Sequence, residues 1–457
     1  MRKILCLGLI VLAAAASTRP GFASVPEGPA KKYLSVEEAV DLGLRHSAGV
    51  KASEARVDVA QSKAREVKAG RGPALRFLGS YARLSEVPPF EVTLPMASLL
   101  PPGFPRSFIV SPNYYDSFML RLSILQPLFT GFRLSNGAAA AEALEEAARQ
   151  ELVRDRGDVS FAVRSAYWDY FLTVEWGKAV AENVARLNAH LSDIRNFAGQ
   201  GLATRNDVLR AEVELANAEV AALEVESART IASTLLNSLL GLPLDTEVEI
   251  TSSVEAGPPP APAFEAGSNN LVRRAKKSRP DLKSMDLKVR ASEAAVAAAK
   301  GGFYPQIYLA GNTYLANPNP RLLPSQNKFY GTWDIGLTLS FDIWNGGQAA
   351  EQTRQAEAQL IQAKEMKRQV EDLITLEVTQ GRLAVARAEQ RVAAAGRAVS
   401  YAQENLRVTQ DRFKEGVATS VEVLDAETLL LQAQTARVQA RTDLAVARAK
   451  LQKALGE

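Results

Sequence analysis

The side chains best placed to do chemistry are few, and they are carboxylates. Asp207, Glu422 and Asp425 each follow closely on a Gly-x-Ala-Thr stretch, and Glu422 and Asp425, three apart, share a helix face. Catalysis would need a nucleophile, a base or a ligand cluster beside them. The chain has two histidines, His46 and His190, and one cysteine, Cys6. No His/Cys/Asp/Glu cluster has ligand spacing, and no glycine loop has the form that cradles phosphate. His46 reads as the end of the first helix and His190 as part of a solvated helix face. The five methionines are scattered and suggest no soft-metal relay. These residues point away from an enzyme and ask for no cofactor or metal. On their own the carboxylates read as an ordinary solvated helix face.

The elements that position them occur twice. Gly201-Leu202-Ala203-Thr204, followed by Asp207-Val208-Leu209, recurs as Gly416-Val417-Ala418-Thr419 and Glu422-Val423-Leu424 at an offset of 215. Earlier in each half the offset is 232, as in Pro73 against Pro305 and Gly79 against Gly311, so the first copy carries 17 extra residues between 82 and 117. One unit reads as helix, strand, loop, strand, long helix, tight turn, helix. The turns need glycine for a positive φ and threonine as an N-cap.

Strands show as alternation. From Trp333 to Ile343 every odd position is large and apolar, and Phe118, Leu120, Leu122 and Ile124 repeat the pattern. Strands are expected at about 74–83 and 117–129 in the first copy, and at 305–315 and 332–344 in the second. Each is long enough to cross a bilayer at a tilt. Phe118, Phe129, Trp333 and Trp344 fall at strand ends, where interfacial aromatics belong, although Trp344 is off the outward parity. Proline-free stretches predict long helices at 132–199 and 347–414, each roughly 100 Å long. Tips follow at 200–204 and 415–419, then helices at 205–240 and 420–456. In these last helices nine of ten heptad a and d positions are apolar in each copy, with alanine at all five d positions of the second.

Arg2, Lys3, the apolar run Ile4–Ala16 and Gly21-Phe22-Ala23 form a secretory signal over residues 1–23; a cut after Ala16 is the alternative. Removing its three bases takes the basic count from 54 to 51, equal to the 51 acids, which gives no reason to expect nucleic acid as a partner. Cys6 leaves with the signal. No later stretch is apolar for long enough to be a membrane-spanning helix, so entry into a membrane would require a closed β-barrel. The domain reading is a first repeat at 24–240, a proline-rich linker with a small mixed equatorial segment at 241–270, and a second repeat at 271–457.

With these motifs in place, the mature sequence resembles the TolC-like outer-membrane efflux family along its whole length. The matching motifs are Leu34-Ser35-Val36-Glu37-Glu38-Ala39, Gln126-Pro127-Leu128-Phe129-Thr130-Gly131, Phe341-Asp342-Ile343-Trp344-Asn345-Gly346-Gly347 and the two Gly-x-Ala-Thr turns. The resemblance implies an α+β membrane protein with two internal repeats. It would be a homotrimer whose 12-stranded outer-membrane β-barrel, four strands per subunit, continues into a long α-helical coiled-coil barrel in the periplasm. Strand counting independently asks for an oligomer, because four strands cannot close without edges exposed to lipid. The implied function is a passive exit duct of a tripartite efflux or type I secretion system. Its partners would be outer-membrane lipid, a periplasmic adaptor (membrane fusion) protein and an inner-membrane transporter. Tips 201–204 and 416–419 would dock the adaptor, and Asp207, Glu422 and Asp425 would form acidic rings at the periplasmic entrance. The tyrosine and arginine that latch the entrance in some members are replaced here by Phe413 and Ala418, with Arg205 or Arg210 as candidate substitutes. The competing reading is an exported periplasmic coiled-coil scaffold without a barrel.

Overall fold

The computed structural model describes residues 32–94, 101–105, 107–252 and 268–457. The expected signal segment lies outside them, as do residues 253–267 of the linker. The chain runs β1 (Lys32–Leu34), α1 (Val36–His46), α2 (Ala48–Ala69), β2 (Ala74–Arg83), β3 (Phe90–Thr93), β4 (Ser107–Ser111), β5 (Asp116–Thr130), α3 (Arg133–Gly199) and α4 (Arg205–Leu240). It continues through β6 (Val248–Ile250), α5 (Ser268–Ser278), α6 (Pro280–Ala299), a short 3-10 turn, β7 (Gln306–Asn317), β8 (Tyr330–Ser340), α7 (Gln348–Lys414) and α8 (Ser420–Leu455).

The sequence pattern expects one helix ahead of each strand pair, and the structure has two. Ser47 ends α1 and caps α2, its Oγ accepting from Val50 N at 3.3 Å. Pro280 opens α6, where its missing N–H costs nothing, and stops α5 from continuing. The extra length of the first copy is the β3–β4 hairpin. The last strand is shorter than expected: Ser340 pairs with Gln306, the first residue of β7, so residues 341–344 run past their partner and leave the sheet. Trp344 therefore stands beyond the strand, 85% exposed.

The main sheet is antiparallel with the order β2-β5-β7-β8, so β2 and β8 each keep one unpaired edge. Directly opposed residues lie on the same face. One face carries Leu75, Phe77, Phe118, Leu120, Leu122, Ile124, Leu309, Leu315, Trp333, Ile335, Leu337 and Leu339, all exposed in the single chain. The other carries Arg76, Ser80, Arg121, Ser123, Asn312, Tyr314, Thr332, Asp334 and Thr338.

The helices form a second layer continuous with the sheet. α3 and α7 have 67 residues each and run unbroken through Gly157, Gly177 and Gly381. The first half of α3 packs between α2 and α6, with links such as Arg156–Glu54 (2.8 Å) and Lys288–Glu151 (2.5 Å). Its second half packs between α4 and α8. α7 follows α6 and then α8. The layer is therefore four lines wide, in the order α2/α4, α3, α6/α8, α7. Its open sides, α2/α4 and α7, continue from the open strands β2 and β8. At mid-height a core of Val163, Tyr167, Trp168, Leu236 and Leu240 packs with Leu34, Ala39 and Val248. There Tyr167 donates to Leu34 O and Tyr170 to Val248 O, both at 2.9 Å, pinning the parallel β1–β6 pair to α3.

At the junction of sheet and helices, Gly131 has φ +60, and a Cβ on it would stand 2.4 Å from Gly301 O. Only glycine lets the two backbones approach this closely.

Candidate functional site

The far ends of the long helices are built alike. α3 closes with Leu202 N donating to Phe197 O at 2.8 Å around Gly201 (φ +76). α7 closes with Val417 N donating to Arg412 O at 2.9 Å around Gly416 (φ +74). Each is a left-handed glycine cap of the Schellman type, a conformation a side chain resists. The next helix then starts with a capping box. Thr204 Oγ1 accepts from Asp207 N, and Asp207 Oδ2 accepts from Thr204 N at 2.9 Å. Thr419 and Glu422 repeat this arrangement, with Glu422 accepting from Thr419 N at 3.1 Å.

Two of the three expected entrance carboxylates are thus committed to their own helix starts. The bonds from the Thr204 hydroxyl and amide hold Asp207 below the usual carboxylate range. Those from the Thr419 amide and hydroxyl do the same for Glu422, helped by Arg412 at 3.5 Å. Both carry full negative charge at neutral pH. Asp425 is exposed and makes no ion pair among the described residues. The tips present apolar side chains to water: Leu202 is 74% exposed and Val417 65%, while Ala418 is buried and Ala203 half-buried. Arg205 and Arg210 are exposed.

Phe413 occupies the centre of the tip region. Its ring lies 5.2 Å from His190 and 5.4 Å from Phe197 on α3, and it packs against Leu191 and Ile194 on one side and Leu406 and Val423 on the other. His190 is not on a solvated face: it is 6% exposed, with Nε2 3.2 Å from Ser420 Oγ. Burial pushes its pKa down, against the pull of Asp193 and the Ser420 bond. Below this cluster Glu427 on α8, 1% exposed, accepts from Arg186 Nε of α3 at 2.5 Å and from Gln410 of α7 at 3.2 Å. Sequence reasoning missed both features. Glu427 occupies an e position flanking the apolar heptad seam, where an acid is ordinary and gives no sign of burial.

Of the four expected interface aromatics, Trp333 and Phe118 stand on the apolar face, Phe118 with its ring tilted against Tyr81 at 4.8 Å. Phe129 turns into the junction, edge-on to Phe132 at 5.3 Å.

A model of the family described as outer membrane efflux protein matches residues 40–242 and 271–457, the greater part of the chain. The chain belongs to the outer membrane efflux protein family. Among members of this family, it is 27% identical over 317 residues to the outer membrane efflux protein BepC of Brucella suis, covering 69% of this chain and 67% of BepC. It is 24% identical to the probable efflux pump outer membrane protein TtgC of Pseudomonas putida over 69% of this chain and 64% of TtgC. The matched stretch thus spans about two thirds of each relative. The fold is that of a solved outer membrane protein: VceC of Vibrio cholerae superposes with a TM-score of 0.75 at 21% identity, over 92% of this chain and 96% of VceC. Membership places this chain in the outer membrane with an extension into the periplasm.

Proposed function

We propose that three copies of the chain close into a passive duct, a 12-stranded barrel on a tube of twelve helical lines, which serves as the outer-membrane exit of a tripartite export system. The observation that carries this reading is the coincidence of open edges. β2 and β8 end the sheet, α2/α4 and α7 end the helical layer, and β2 shares one side of the chain with α2/α4 while β8 shares the other with α7. A head-to-tail ring satisfies both sets at once and leaves no strand edge in lipid. Apolar residues without partners stand ready along both helical sides: Leu209, Val213, Val220 and Leu223 on α4, and Leu376, Leu383 and Val408 on α7. The apolar sheet face meets lipid and the polar face lines water. A coiled-coil scaffold without a barrel would have no use for a bilayer-long apolar sheet face and is not favoured.

In this assembly the paired tips dock a periplasmic adaptor that couples the duct to an inner-membrane transporter. Asp207, Glu422 and Asp425 face the entrance as rings of like charge, which disfavour anions there. The decisive experiment is the native mass of the protein extracted in detergent from separated outer membranes. A trimer is expected. A soluble periplasmic species of another stoichiometry would sink the duct.

A further inference from the structure

The strands place three charged residues on the polar face of the sheet: Arg76 on β2, Arg121 on β5 and Asp334 on β8. Asp334 is already satisfied. Its Oδ2 accepts from Asn312 Nδ2 at 2.8 Å, and its Oδ1 pairs with Arg321 at 2.8 Å. Neither Arg76 nor Arg121 has an acidic partner among the described residues, and Arg121 Nε is buried without a hydrogen bond. Arg76 lies opposite Ser123, and Arg121, two residues before Ser123, lies opposite Leu78 and Tyr314. The two guanidinium groups are therefore diagonal neighbours on one face. Arginine keeps its proton at any working pH, so these charges persist. β5 is an inner strand, so closing the ring brings no new strand beside Arg121.

We propose that Arg76 and Arg121 form a collar inside the barrel that binds phosphate- or carboxylate-bearing solutes reaching it from the barrel side. The collar rests on the duct reading, since only closure with the polar face inward turns two arginines per chain into a ring contributed by three chains. Charge that no acid of the same chain neutralises, inside a narrow protein wall, concentrates counter-ions far more than it would on an open surface. The guanidinium fork also matches phosphate and carboxylate oxygens two at a time.

The test is single-channel recording of the purified protein in planar bilayers, with inorganic tripolyphosphate added on the barrel side of an oriented insertion. The wild type should show voltage-dependent block, and the Arg76→Gln/Arg121→Gln double variant should need at least about tenfold more tripolyphosphate. The Arg76→Lys/Arg121→Lys variant, which keeps the charge, should retain most of the block. Channels that are never blocked, or are blocked equally in the Gln variant, would overturn the collar and leave the duct standing. Absence of any channel from protein that reaches the outer membrane would remove the duct and the collar with it.

Discussion

Phe413 sits where the two helical hairpins meet, and its ring, 5.2 Å from His190 and 5.4 Å from Phe197, helps to hold them together. Its partner His190 makes that hold sensitive to acid. A histidine whose pKa is depressed by burial favours the neutral form in the folded state. The unfolded state then binds more protons, and stability present above about pH 6.5 is lost as pH falls below it. Acidification should therefore expose the tips of the detergent-solubilised protein to protease, and His190→Gln should flatten that dependence; identical profiles would count against the arrangement. Glu427 makes a second residue-scale prediction. Removing Glu427 leaves the half-buried Arg186 and Gln410 without their shared acceptor, so Glu427→Ala should cost about 1–3 kcal/mol, read as a lower melting temperature. Glu427→Gln, whose amide oxygen can still accept from Arg186, should cost less. Neither residue was legible in the sequence. Burial at these positions is created by α3, α7 and α8 converging from distant parts of the chain, and a single-helix pattern cannot register that.

At the scale of elements, the tips are two copies of one solution: a left-handed glycine, an exposed apolar residue and a threonine capping box. The caps were readable from Gly-x-Ala-Thr followed by an acid three residues after the threonine, because their chemistry is local. Leu202 and Val417 are exposed apolar residues at the turns, and in the proposed assembly they are the side chains that would meet the adaptor. Leu202→Asp together with Val417→Asp should abolish export in cells while the trimer still assembles. Retained export would move docking elsewhere. Alternation located the strands for the same local reason. It misjudged the end of β8 because a strand stops where its partner starts, and Gln306 lies well upstream in the sequence.

At the scale of the whole molecule, each chain is a slab with two matching raw sides. Length, duplication and the apolar sheet face made its overall design readable, whereas the four-line order of the helices was not, since which helix neighbours which is settled by tertiary packing. One feature of the slab bears on its biogenesis. The inner strand β5 pairs with β7, so Phe118 must wait for Asn317 and Gln126 for Leu309. Between them in the chain lie α3, α4, the linker and two further helices. Contacts so distant in sequence close late. While the chain emerges, the apolar hairpin made by β2 and β5 has no second neighbour on either side, and it needs shielding from its own kind until the second half arrives. Delivery to the membrane must therefore follow completion of the chain.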